Sequence, residues 1–346
     1  MEPSTAARVG LRSSSSHTVR SPRIALSEPV CLNQTLTLSD GRKLGYAEYG
    51  NPRDYPIFYF HGYPSSRLEG WGFGNSPQRH SYRLIVPDRP GFGLSSHQPR
   101  REILDWPADV QALATHLGLK RFAVLGCSGG GPYAIACAHS LPPHMLSGVA
   151  FLAGSPPWIA GTKDVTLSRR LLSSAAIHCP GILEMLLNRL FIGLRWMLES
   201  GPVTRWLDNW IDGMKRNKIK DWDEQQSEKQ EELPTAEARR RVLRTSFEAF
   251  AQGSRAAVQE ARLLSQDWGF KFEDVPYSGI RIWHGTKDTN APIGMVRYMA
   301  DRLPQPVFHE LEENHYTMGH HLETVITDLM ESEAEKKIGN ETTCQV

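Results

Sequence analysis

Residues 121–134 read RFAVLGCSGGGPYA: an apolar run of strand length, one serine set among glycines, then a return to helix-forming residues. A serine exposed on a sharp strand-to-helix turn needs neighbours two positions away without side chains, because the backbone approaches itself there and holds the serine in a strained conformation. Gly126-Cys127-Ser128-Gly129-Gly130 meets that demand as a G-x-S-x-G pattern in the strand-turn-helix context of a nucleophile elbow, and Gly131 extends the clearance. The helix that follows aims its first N–H groups and its positive dipole end at the serine oxygen, which favours a developing oxyanion. A Gly/Ser cluster can also be a plain turn, so the rest of the chain decides.

Outward from this stretch the pattern is strand alternating with helix. Short apolar or β-branched runs occur at QTLTL (34–38), KLGYAEYG (43–50), PIFYF (56–60), RLIVP (83–87), LSGVAFLAG (146–154), GIRIWHG (279–285) and PVFHEL (306–311), and Asp40-Gly41 marks a hairpin between the first two. Helical patterns cover 103–117, 130–141, 292–303 and 321–331. The alternation predicts an α/β fold with a mostly parallel, doubly covered sheet. It breaks once: from about Ser155 to Asp274 the chain holds no strand pattern but a long helical block, which reads as an insertion between two strands of one sheet. The expected organisation is a tail over 1–30, a core over 31–154 and 275–335, a helical insertion over 155–274, and a C-terminal tail over 336–346.

Serine is a weak nucleophile at neutral pH and needs a base within hydrogen-bond reach, with a third group holding that base in the right tautomer. In such a sheet both belong just past the ends of later strands. GIRIWHG runs directly into Thr286-Lys287-Asp288, and PVFHEL into Glu312-Glu313-Asn314-His315. No Asp or Glu lies between Met145 and Ile159, after the preceding strand, to compete with Asp288. His309 falls inside a strand, and His320 and His321 in the following helix, which leaves His315. The chain order is Ser128, Asp288, His315.

Four segments, HGYP (61–64), DRPGFGLS (88–95), GCSGG (126–130) and the HGTKD…NH pair ending at His315, together resemble a lidded member of the α/β-hydrolase superfamily over roughly Leu32 to Glu331. The resemblance implies Ser128 as nucleophile, His315 as general base and then acid, and Asp288 as the orienting carboxylate. It further implies an oxyanion hole from the backbone N–H groups of Tyr63 and Gly129, and a cis Tyr63–Pro64 bond. His61 reads as a structural hydrogen-bonding residue and the 88–93 loop as packing beneath the site. HGxP followed by a DRPGFG-like loop is also similar to epoxide hydrolases and haloalkane dehalogenases. Those use an aspartate where this chain has Ser128, so an acyl-enzyme on an activated carbonyl is expected instead of an alkyl-enzyme ester.

The expected function is therefore a serine hydrolase, without metal or other cofactor, acting on a hydrophobic carboxylic ester or related acyl compound. Alternatives on the same fold are C–C bond hydrolysis, acyl transfer or cyclisation in a biosynthetic pathway, and a non-hydrolytic receptor. Trp158, Trp196, Trp206, Trp210, Trp222 and Trp268 fall in the helical insertion, whose 182–198 segment is amphipathic with Glu184, Asn188 and Arg195 as its polar positions. These suggest a lid with an aromatic underside over Ser128. Docking at a membrane interface is a further reading, against which no Lys/Arg-rich face is evident around the apolar stripe.

Composition narrows the partners. The 39 basic and 38 acidic side chains nearly cancel, so no global field draws nucleic acid, and a small hydrophobic acyl substrate is the expected partner. Cys31, Cys127, Cys137, Cys179 and Cys344 form no C-x-x-C pair and fit reduced thiols of an intracellular, cytoplasmic protein. Residues 1–28, rich in Arg and Ser, read as a disordered tail with a composition shared by mitochondrial transit peptides. No apolar run is long enough to span a membrane.

Overall fold

The computed structural model describes residues 31–220 and 234–331. The expectations for both tails and for Trp222 lie outside those residues. Each β-type run is a strand: β1 (Cys31–Thr37), β2 (Lys43–Tyr49), β3 (Tyr55–Phe60), β4 (Tyr82–Pro87), β5 (Phe122–Cys127), β6 (Leu146–Leu152), β7 (Arg281–Gly285) and β8 (Val307–Leu311). They form one eight-stranded sheet in the order β1-β2-β4-β3-β5-β6-β7-β8. Pairing is antiparallel for β1–β2 and β2–β4 and parallel from β4 through β8.

The helices are α1 (Ser76–Arg79), α2 (Trp106–His116), α3 (Gly131–Ser140), α4 (Leu167–His178), α5 (Pro180–Leu198), α6 (Gly201–Lys220), α7 (Thr235–Glu248), α8 (Arg255–Leu263), α9 (Ile293–Ala300) and α10 (322–331). Among the described residues, only helices and turns lie between β6 and β7 apart from the connecting coil. The helical stretch ending in EARLL is two helices, because the chain turns at Gly253, whose φ of +87° suits only glycine.

Alternation along the strands divides the core in two. In β3, Phe58 and Phe60 pack with Phe122, Trp106 and Tyr133 on one face, whereas Ile57 and Tyr59 join Leu84, Leu125 and Leu152 on the other. β5 and β6 lie in the middle of the sheet, and β6 is buried at all seven positions, as expected for a strand covered on both faces. Because β3, β5, β7 and β8 all run the same way, the loops leaving their carboxyl ends gather at one edge of the sheet.

Candidate active site

At that edge Ser128 follows β5 with φ +48°, a left-handed conformation that a non-glycine residue keeps only when its surroundings enforce it. The glycines around it are steric requirements. A Cβ on Gly126 would stand 2.7 Å from the Gly130 carbonyl carbon and 2.9 Å from Ala134 Cβ, and one on Gly130 would stand 2.9 Å from the His61 carbonyl oxygen. The Ser155 N–H donates to the Ser128 carbonyl at 2.7 Å, tying the elbow to the end of β6.

His315, past β8, brings Nε2 to 3.0 Å from Ser128 Oγ. Its Nδ1 lies 2.7 Å from Asp288 Oδ2 and donates to it, so that in the neutral imidazole Nε2 is the acceptor aimed at the hydroxyl. Asp288, past β7, has a fully buried carboxylate, and its Oδ1 accepts from the N–H groups of Asn290 and Ala291, each at 2.8 Å. The three residues singled out in the sequence are thus joined in one hydrogen-bonded chain. The competing histidines are engaged elsewhere: His309 stacks on Trp283 with ring centroids 3.9 Å apart, and His321 faces Glu313 at 3.7 Å. His284, fully buried behind Asp288, donates from Nε2 to the Ala291 carbonyl at 2.7 Å, and burial holds its pKa below the usual value.

The loop after β3 meets the elbow directly. A Cβ on Gly129 would stand 3.1 Å from Tyr63 N, so the two backbones expected to bind an oxyanion are neighbours, and the Tyr63–Pro64 bond is cis. The orientation of the Gly62–Tyr63 peptide is set from behind. Its carbonyl oxygen accepts from His61 Nδ1 and from Arg89 Nη2, each at 2.9 Å. In a trans peptide the Tyr63 N–H therefore points the opposite way. Arg89 also donates to the His61 carbonyl at 2.5 Å and to Glu260 Oε1 at 2.7 Å, while Glu260 Oε2 accepts from Tyr133 at 2.8 Å and from Arg101.

Arg89 and Glu260 are fully buried. Burial alone would raise the Glu260 pKa, but the two guanidiniums outweigh it and hold the carboxyl below its usual value. His61 is buried and neutral, its pKa pushed far down by burial and then by the Arg89 charge. Its place in the structure is the hydrogen-bonding one read from the sequence. Glu260 belongs to α8, and the Tyr63 hydroxyl donates to the Ala257 carbonyl of the same helix at 2.9 Å. A helix of the insertion thus braces the loop at two points.

A cavity of about 340 Å³ opens over Ser128, walled by Tyr63, Leu152, Met318, Tyr316, Cys127 and Glu69. Burial pushes the Cys127 thiol up to about 12, so it stays protonated and does not compete as a nucleophile. The sequence reading missed Glu69. Its carboxylate accepts from the Tyr59 hydroxyl and, at 3.0 Å, from the Gly62 N–H, and its only sequence signal is its place in the HGYPSSRLE run (61–69). It also missed Arg89 as a clamp and Glu260 altogether, since no spacing rule links an acid in the insertion to a loop about 200 residues earlier. Among the described residues no group of three or more His, Cys, Asp or Glu could hold a metal ion. A larger cleft of about 660 Å³, between Trp268, Phe270 and Tyr298, lies away from Ser128.

Among the described residues the aromatic underside expected of the insertion is not found. None of Trp158, Trp196, Trp206, Trp210 and Trp268 walls the cavity over Ser128. Trp268 is core, and Trp196, Trp206 and Trp210 are 77%, 62% and 49% exposed. The reason is helix phase: Leu183 and Leu187 pack with Val258 and Ala261 of α8, and Phe191 stacks on Phe250 at 3.6 Å, which turns the tryptophan side of α5 outward. Asn188, expected on a polar face, accepts from the Ser254 N–H at 2.8 Å just before α8.

A family model described as the alpha/beta hydrolase fold matches residues 55–170. A proline iminopeptidase of Xanthomonas citri is 33% identical over 113 residues, 30% of this chain and 34% of that protein. A non-heme chloroperoxidase of Streptomyces lividans is 36% identical over 129 residues, 35% of this chain and 45% of that protein. The chain thus spans less than half the length of these curated relatives. Over most of its length it is similar to a solved esterase from Exiguobacterium antarcticum, with TM-score 0.57 and 15% identity across 87% of this chain and 99% of that one.

Proposed function

The chain is a member of the α/β-hydrolase superfamily, and from that membership we propose that it is a serine hydrolase cleaving a hydrophobic carboxylic ester or related acyl compound. One observation carries the reading: Ser128 Oγ, His315 and Asp288 lie in a single hydrogen-bonded chain, at 3.0 and 2.7 Å, on the floor of a cavity. In the proposed reaction His315 Nε2 takes the Ser128 proton as Oγ attacks the acyl carbon. The resulting alkoxide is stabilised by the Tyr63 and Gly129 amides. Donors fixed in advance need not reorganise as charge develops, and each is worth about 3–4 kcal/mol of transition-state stabilisation. His315 then returns the proton to the leaving group, and the second half-reaction uses water in the same way.

The apolar walls Leu152 and Met318 support a hydrophobic acyl group beside Ser128. The relatives' names span an iminopeptidase, haloperoxidases and a lipase and choose no substrate. A fluorophosphonate probe tests the proposal. Wild-type chain should be labelled at Ser128 and Ser128→Ala should not be. Equal labelling of the two, or none of the wild type, sinks the assignment.

A further inference from the structure

While Leu183, Leu187 and Phe191 meet α8 and Phe250, Ile182, Leu186, Leu190 and Trp196 of the same helix, α5, are left at 58%, 54%, 61% and 77% exposure. No residue of this 19-residue helix is buried. α6 also exposes two large apolar side chains, Trp206 and Trp210. The apolar stripe of this amphipathic helix is wide, and the helix has packed only part of it.

We propose that the outward face of α5 and α6 docks on an anionic lipid surface. The first argument is charge. Residues 180–220 carry seven Lys/Arg against four Asp/Glu in the sequence. Arg189, Arg195 and Arg205 are exposed. Among the acids, Glu184 is half-buried, Asp208 is paired with Arg239 and Asp212 accepts from the Thr235 hydroxyl, while Glu199 is exposed and offsets Arg195. The sequence of α6 ends in KRNKIK (215–220), four cations in six residues, of the kind that anionic headgroups attract.

The second argument is residue type. Tryptophan and arginine beside aliphatic side chains suit the boundary between headgroups and acyl chains, where each keeps its polar end wet. A second copy of the chain, whose twofold contact would set this patch against itself, is the rival occupant that the test separates. Crossing the bilayer is not implied. Among the described residues no single helix is long and apolar enough to cross, and α4 and α5, which would pass together, are bent by 119°. The contact therefore lies in the interface plane. Helical phase hides this arrangement in the sequence, where the arginines do not read as a rim to the apolar stripe.

The test is flotation of the full chain with vesicles of phosphatidylcholine alone and of phosphatidylcholine with phosphatidylserine. The chain should float with the second and not the first, and should be released at about 1 M salt, where the screening length is about 3 Å. The triple variant Arg189→Gln/Arg195→Gln/Arg205→Gln should partition about 100-fold more weakly, from about fivefold for each cation. Trp196→Ser/Trp206→Ser/Trp210→Ser should not float at all. Both variants should be labelled by fluorophosphonate like wild type, which shows that they are folded. Ser128→Ala should still float, which separates this proposal from the hydrolase reading. Three results overturn it: flotation equal on neutral vesicles or absent from both, variants that bind like wild type, or light scattering that shows a dimer dissociated by Trp196→Ser.

Discussion

Ser128 is held at φ +48°, where the Cβ of an L-residue crowds the next carbonyl oxygen at a cost of about 1–2 kcal/mol. The cost is met by surroundings that leave the turn no alternative: the glycines at 126 and 130, which admit no side chain, and the hydrogen bond from Ser155. The strained serine and its glycines were legible in GCSGG, because that constraint is local and a missing Cβ is written directly in the sequence, whereas the Ser155 hydrogen bond was not. Asp288 and His315 were legible for a related reason, since each follows within four residues of a strand whose apolar run is unmistakable. In the proposed mechanism Asp288 holds the Nδ1 proton of His315. Asp288→Asn retains an acceptor for the Asn290 and Ala291 amides but can turn an N–H toward Nδ1, favouring the wrong tautomer. Its kcat on an aryl ester should fall about 10⁴-fold. A loss of less than about tenfold would remove Asp288 from its assigned role.

At the scale of elements, α8 joins the insertion to the loop after β3. Glu260 neutralises two buried arginines, and one of them, Arg89, orients the Gly62–Tyr63 peptide. Removing the charge leaves both guanidiniums uncompensated, so Glu260→Gln should lower stability by about 3–5 kcal/mol in urea unfolding at neutral pH. It should also lower kcat more than it changes KM. The sign of the pH dependence follows from a folded pKa held below 4.5: the native state binds this proton less readily than the unfolded chain. The contribution is present above about pH 4.5 and lost as pH falls through the folded value. The acid limb of the stability profile should therefore be flatter in Glu260→Gln than in wild type, and an unchanged limb would show that the pair is not ionised. None of this could be read from the sequence. An acid in EARLL looks like any solvated helix position until the fold sets it against Arg89 and Arg101.

At the scale of the molecule the insertion is not one thing. α8 has six buried residues of nine and contributes Leu263 to the main core, while α5 has none. Backbone amides open according to the burial that holds them, so hydrogen exchange should find α8 protected like β5 and α5 and α6 exchanging faster. Uniform protection across the insertion would contradict this division. Eight strands, their order of appearance, the break for a helical block and the three strand-end residues that the structure joins by hydrogen bonds were determined by the sequence alone, because hydrophobic period and turn chemistry act over a few residues and leave a local trace. Which side of each inserted helix faces the sheet was decided only by tertiary packing. A helix with so wide an apolar face has its phase only loosely set by Glu184, Asn188 and Arg195, so Leu183, Leu187 and Phe191 turn inward because α8 offers them a surface, and Trp196 is left outside.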